Sequence, residues 1–424
     1  MSSTVYRAGL LMAATLLGLA CSAPQVADPE GDRYAQAVMA RDEGRLAEAE
    51  RIIAPSAASG SLQATLLLAE IEILRGQHGR AAERLAPLAE RHPQHGAVAG
   101  ALARALDGTG QAAKAIVAYK LRLALAPDDG GAAQRLAELL LGAGQAQAAS
   151  VVAKEAAIRH PKDAQTHALL ARALLARGRL PLALESARQA TRLDPRSADS
   201  WLQLARALTL GGELSAAVEA YGKLLQLDPQ HSAGLAGLSG VHIEQRHWPE
   251  AIKVLEQAVK VNPDGAANWN ALAVCRSRVG AHDGALSAVN SALQAAPGNR
   301  LLRRNRVEVL LEAGRTEEAA AAASSLLADS AGAPKDAPGQ QAEQALLMRA
   351  VVADVLAVHA CAGARQSTSK VQTEIGRRLE AVGMSPAPTD TATVAAEVLP
   401  HVRMARARCT RSKAASAPSP GAVP

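Results

Sequence analysis

An all-α chain, built as a solenoid of stacked helical hairpins with a C-terminal helical cap, is the fold the sequence predicts, and three observations predict it. Pro93, Pro127, Pro161, Pro195, Pro229, Pro263 and Pro297 stand 34 residues apart. Ala81, Ala115, Ala149, Ala183, Ala217, Ala251, Ala285 and Ala319 keep the same interval without a break. The 424 residues are 49% hydrophobic but only 2% aromatic, with no Phe, so any core is packed with Ala and Leu. Self-similarity at a fixed period of roughly 20 to 50 residues marks a chain whose units each bury a face against the next.

At the start of the chain, Arg7 is followed by an uncharged run from Ala8 to Ala20, too short to span a bilayer but of signal-peptide length. The run ends in Leu17-Gly18-Leu19-Ala20-Cys21, which resembles the bacterial lipobox, with Gly18 where that motif usually carries Leu. The resemblance implies removal of residues 1–20, a diacylglyceryl group on Cys21 that holds the protein to a membrane, and a tether over 21–32. Ser22, rather than Asp, resembles the outer-membrane sorting signal of many Gram-negative bacteria. An ordinary secretory signal with an incidental Cys21 is the competing reading.

The repeats come next. With each proline set as position 32, frames begin at 62, 96, 130, 164, 198, 232, 266 and 300. Position 7 is then Leu68, Leu102, Leu136, Leu170, Leu204, Leu238 and Leu272, and position 8 is Ala or Ser up to Ala273. Position 15 is Gly76, Gly110, Gly144, Gly178, Gly212, Gly280 and Gly314, broken by Arg246. Small residues at 8 and 20 let two antiparallel helices approach, and Leu at 7 fills the space they leave. Gly at 15 supplies a left-handed turn after the first helix, and Pro at 32 cannot continue the second. A looser hairpin precedes the frames, with a helix from Tyr34 to Glu43 and then Gly44 and Ala49, so the solenoid is expected over 33–333.

Pro334, Pro338 and Gly339 make 334–339 a linker. Beyond it, over 340–411, helices are expected at Gln340–Ala364, Lys370–Val382 and Thr391–Ala407, covering the open apolar end of the array. The last stretch, 412–424, is Ala, Ser, Pro and Gly and is not expected to fold.

Small residues at 8 and 20 with Gly 15 and Pro 32, plus Trp201 and Trp269 at position 4 and Tyr119 and Tyr221 at position 24, resemble the tetratricopeptide repeat. The resemblance implies a right-handed superhelical solenoid whose first helices line a groove for a protein partner, with positions 2, 5, 9 and 12 facing it. Leu-Ala-Arg-Ala-Leu occurs three times and puts Arg104, Arg172 and Arg206 at position 9. Arg172 and Arg206, in adjacent repeats, could form a ladder that grips a carboxylate by paired hydrogen bonds. Gln134, Glu138, Asp199 and Asn270 are the other groove candidates; the alternative is a solvated polar stripe. Position 5 lacks the Lys and Asn set of chaperone-tail carboxylate clamps, which disfavours a chaperone adaptor.

Little in the chain points to catalysis. No phosphate loop, metal-binding His-Glu-x-x-His or Gly-x-Ser-x-Gly elbow occurs. His92 with His95, and His242 with His247, have loose ligand spacing but no third partner. A formal charge of +6 over 46 basic and 40 acidic residues demands no anionic partner, and the scarcity of rings argues against single-stranded nucleic acid. The expectation is a non-enzyme with no metal, no cofactor, no nucleic acid and no small-molecule substrate. Cys275 falls in a first helix and reads as a buried small hydrophobe. Cys361 and Cys409 both fall in the C-terminal segment and are predicted to pair in an exported protein.

Lipobox and repeats together resemble the repeat lipoproteins that accompany type IV and tight-adherence (Flp) pilus systems. That implies a lipid-anchored scaffold in the bacterial envelope, on the outer membrane facing the periplasm, serving assembly of a pilus or secretion complex. An adaptor for exopolysaccharide export or cell-wall glycan handling is the second reading; Trp201, Trp248 and Trp269 are the only tryptophan platforms it has. Positions 4 and 24 fall to Ala99, Ala133, Ala153 and Ala187, and the third and fourth frames, from Gly130 to Pro195, are expected to be underpacked and the most pliable part of the array.

Overall fold

A computed structural model describes residues 29–328, 340–362, 368–381, 394–398 and 400–404, and among them there are helices and turns and no strand. The first hairpin is α1 (Pro29–Asp42) and α2 (Leu46–Ala58). The helices of the eight frames follow: α3 (Leu62–Leu74) pairs with α4 (His78–Arg91), α5 (Gly96–Gly108) with α6 (Ala112–Leu125) and α7 (Gly130–Gly142) with α8 (Ala146–Arg159), and next along the chain are α9 (Ala164–Ala176) and α10 (Leu180–Leu193). Then come α11 (Ala198–Leu210) with α12 (Leu214–Leu227), α13 (Ser232–Glu244) with α14 (Trp248–Val261), α15 (Ala266–Arg278) with α16 (His282–Ala295), and α17 (Arg300–Glu312) with α18 (Thr316–Ala328). After them lie α19 (Gln340–Ala362), α20 (Thr368–Glu380) and helical residues at 394–398 and 400–404. The chain divides into two compact units, 1–179 and 180–424, each a stack of such helices.

The helix boundaries follow the sequence columns. Each first helix from α3 to α17 begins on the first residue of its frame. The residue just before it usually caps it: Ser61, His95, Asp129, Asp163, Ser197, His231 and Asn299 each accept from a backbone N–H two or three residues on. At the start of the chain the helix begins earlier than expected. It opens at Pro29, inside the stretch assigned to the tether, where proline loses no hydrogen bond by lacking an N–H. Residues 1–28 with Cys21, the linker 334–339 and the tail 412–424 lie outside the described residues.

The corner between the helices of a hairpin explains the glycine column. Gly76 lies at φ 74, and Gln77 N–H closes the helix end on Glu72 O at 2.8 Å; the other column glycines repeat the conformation. Arg246 is forced into the same corner at φ 59, with His247 N–H on His242 O at 2.8 Å. A non-glycine residue there costs about 1–2 kcal/mol, partly offset by the greater unfolded-state freedom glycine brings. Arg246→Gly should therefore raise the thermal midpoint of the second unit, by about 0.5–1 kcal/mol in stability. A lower midpoint in a calorimetric scan would refute this reading of the corner.

Packing follows the columns too. All eight position-20 alanines and the position-8 alanines are fully buried, and Leu136 and Leu272 at position 7 keep only 1% of their surface. Leu102 and Leu170 of the same column are half-buried. Cys275 is free and buried, and burial pushes its thiol up to about 11. The expected thinness at Ala133 shows as a cavity of about 150 Å³ between α6, α7 and α8.

The C-terminal segment caps the last hairpin. Leu347, Ala350, Val351 and Val352 of α19 join Val307, Leu310 and Leu311 of α17, Ala319 and Ala323 of α18, Ile375 and Leu379 of α20, and Val398 and Val402 in one core. Buried Asp354 takes a hydrogen bond from Thr316 Oγ1 at 3.1 Å and pairs with Arg378 Nη1 at 2.6 Å. The Cys361 side chain and Cys409, predicted to pair, lie outside the described residues.

Candidate protein-binding face

The side chains read as groove candidates sit on the first helices, and the repeat period decides what each one meets. Position 9 of successive frames is Glu70, Arg104, Glu138 and Arg172. Alternation at 34-residue spacing puts an acid of one first helix beside a base of the next. Arg104 Nη2 lies 3.3 Å from Glu70 Oε1, and Arg172 Nη2 3.1 Å from Glu138 Oε1. Arg135 adds bridges to Asp107 and to Glu138, both at 2.6 Å, and Gln134 Nε2 donates to Glu138 Oε1 at 3.3 Å.

Gln134, Glu138 and Arg172 are thus one cluster, with Arg135 as a member the sequence reading missed. The acids at position 9 were visible in the same column as the arginines. Arg172 is held by Glu138 instead of standing open in a basic ladder for an incoming carboxylate. Burial alone would raise the Glu138 carboxyl, but hydrogen bonds from Arg172 and Gln134, with the Arg172 and Arg135 charges, outweigh it and lower it. The stability this bridge contributes is present above the unfolded carboxyl's ordinary range and fades only as pH falls through the lowered value.

In the second unit the candidates behave differently. Asp199 accepts from Gln203 Nε2 at 2.9 Å, and Asn270 accepts from Asn305 Nδ2 of the next first helix at 2.7 Å. Arg206 is exposed and has no ion pair among the described residues. It is the groove arginine most available to a partner.

Of the histidine pairs, only His95 has a side-chain hydrogen bond among the described residues, and His242 Nδ1 is buried without a partner. His95 Nδ1 caps α5, and the rings of His242 and His247 stand 6.2 Å apart and tilted. Among the described residues no three His, Cys, Asp or Glu side chains come together as metal ligands. No described helix is long and apolar enough to cross a membrane.

Comparison with known families gives the class of protein. Residues 210–275 match one tetratricopeptide repeat model, and 135–197, 168–232 and 282–337 match another. The chain carries tetratricopeptide repeats, and its fold is a solenoid of their hairpins; such repeats bind other proteins. No curated protein sequence matches it. Similar solved structures include the Cut9–Hcn1 hetero-tetramer of the APC/C, at 16% identity and TM-score 0.48, over 68% of this chain and 57% of that one. The chain thus spans little more than half of that structure's length. PilF of Pseudomonas aeruginosa aligns at 19% identity and TM-score 0.45 over 51% and 96% of the two chains. MamA of Desulfovibrio magneticus RS-1 aligns at 19% identity and TM-score 0.38 over 40% and 97%.

Proposed function

We propose that this chain is a lipid-anchored, non-enzymatic scaffold that holds a protein partner on its first-helix face in the bacterial cell envelope, in the assembly of a pilus or secretion complex. The observation that carries the protein-binding part is that polar side chains recur at one position of first helices whose opposite sides are buried, Arg104, Glu138 and Arg172 in the first unit and Arg206 in the second. The lipobox-like run ending at Cys21, followed by Ser22, supports attachment to the outer membrane facing the periplasm.

The partner test follows from the place of these arginines on the first helices: Arg206 is exposed, and Arg172, one third exposed, is held by Glu138. Arg172→Ala with Arg206→Ala should lower capture of the partner crosslinked in membranes by tenfold or more, taking about 1.4 kcal/mol as one factor of ten. The half-exposed Arg172–Glu138 bridge contributes about 1 kcal/mol or less, so the fold should persist. Undiminished capture by a folded double variant would remove the face from the proposal. Cys21→Ala should abolish incorporation of labelled fatty acid and release the protein to the soluble fraction; an unlabelled wild type would remove the anchor.

A further inference from the structure

Most of the repeat prolines have their carbonyl capped by a side chain that follows in the chain. Trp201 Nε1 donates to Pro195 O at 2.8 Å and Trp269 Nε1 to Pro263 O at 2.7 Å. His167 Nε2 lies 3.1 Å from Pro161 O, and Arg303 Nε donates to Pro297 O at 3.3 Å. All four sit at position 4 of their frames. Where position 4 is Leu235, Gln257 of the same hairpin's second helix reaches Pro229 O instead, at 2.7 Å. Position 4 therefore supplies an N–H to the preceding corner, and the indole does so while also filling the space beside it.

Pro93 and Pro127 receive no such donor, because position 4 is Ala99 and Ala133. At the first gap, Arg122 lies over Gly96 and Gly100, where an added Cβ would meet it at 3.0 and 3.2 Å. At the second gap a cavity of about 150 Å³ remains. Leu123, Pro127, Ala133, Val152 and Ala156 line it, and so does the charged Arg159. Glu155, also lining it, occupies the position of Gln257 but has no N–H to give as a carboxylate. His160 lines it too, with Nε2 buried and without a partner.

We propose that this cavity is a docking site for the indole of a tryptophan carried by a bound protein. Trp201 and Trp269 show how the fold serves the equivalent proline in its own repeats: each ring puts its N–H on the proline carbonyl, and Trp269 packs against the core of Ala251, Leu255 and Leu272. The Ala133 repeat keeps the acceptor and the apolar walls and lacks the ring. The cavity opens to solvent and its lining mixes apolar side chains with Glu155, Arg159 and His160, which suits a flat ring bearing one N–H better than a plain hydrocarbon. Buried aromatic anchors set in pockets are also the side chains that carry most of the energy of protein interfaces. The source of the indole, a partner's side chain, rests on the protein-binding reading above; the pocket itself does not.

Indole, its hydrocarbon isostere indene and N-acetyl-tryptophanamide are the probes, titrated into the full chain and followed by amide shifts. Indole should bind saturably and shift residues between 123 and 160, with indene roughly two- to tenfold weaker for want of one hydrogen bond. N-acetyl-tryptophanamide should bind within about tenfold of indole. Ala133→Trp should abolish indole binding and raise the thermal midpoint. If that variant fails to fold, Glu155→Gln, which offers Pro127 the donor Gln257 gives Pro229, should erase the preference for indole over indene. No saturable shift, equal affinity for indole and indene, or undiminished binding in both variants overturns the site. Indole binding that excludes N-acetyl-tryptophanamide overturns the assignment to a protein side chain. None of these outcomes depends on Arg172 or Arg206, so failure here and failure of the first-helix face are separable.

Discussion

Leu136→Ala should lower the stability of the first unit by about 2–5 kcal/mol, the span seen when a buried leucine is cut to alanine. The upper part of that span is expected, for a reason specific to this core. Leu136 keeps 1% of its surface and belongs to a core in which alanines such as Ala101, Ala115, Ala149 and Ala153 outnumber the leucines, so few side chains there have rotamers with which to refill a hole. The backbone around it is held by neighbouring hairpins, and the cavity beside Ala133 already lies on the same helix. Leu102, in the same column but half-buried, should lose less than half as much on truncation. Since each repeat contacts mainly its neighbours, the loss should be local, with amide exchange rising first in α7 and α8. Denaturant curves showing equal losses for the two leucines would contradict the account.

The second large effect is expected at the cap. Arg378→Ala leaves Asp354, whose side chain is only 5% exposed, with the Thr316 hydroxyl as its remaining donor. Breaking a buried pair by removing one partner costs about 3–5 kcal/mol, and the lower end applies because Arg378 itself is over a third exposed. Asp354 belongs to α19 and Arg378 to α20, so the change should free α20 and expose 368–381 to limited proteolysis before the repeats are cut. Replacing both residues together, Asp354→Leu with Arg378→Met, should recover most of the loss, since no charge is then left buried alone. A double variant as fragile as the single one would show that the pair is not what fastens the cap.

Much of the fold was legible because repetition multiplies weak signals. A single Gly or Pro marks a turn loosely; the same residue at the same interval in frame after frame marks a helix boundary closely. The first-helix starts therefore fell on the frame starts, and Arg246 marked the one non-glycine residue at a left-handed corner among the described residues. The start of α1 was less legible because the first hairpin lacks the columns: Gly60, at φ 92, turns the chain where later units use Pro. Glu72 was missed for a related reason. It is fully buried and held by Arg84 at 2.9 and 3.1 Å, an ion pair of one repeat that no other repeat echoes.

The candidate face was only half legible. Its residues are polar positions of first helices, readable from the repeat period, but pairing is a property of two repeats at once. Arg104 and Arg172 were read along their own column as donors awaiting a ligand, whereas the acids one period earlier, Glu70 and Glu138, already hold them.

By itself, then, the sequence determined the hairpin, its period, the alanine columns that let its helices meet and the covered C-terminal end, because these rest on steric rules that recur at each unit. The tertiary structure alone decided which charges are spent on each other, which proline carbonyls are capped and where a ring-sized space is left. Those outcomes depend on distances between side chains a whole repeat apart, and no local preference of the chain encodes them.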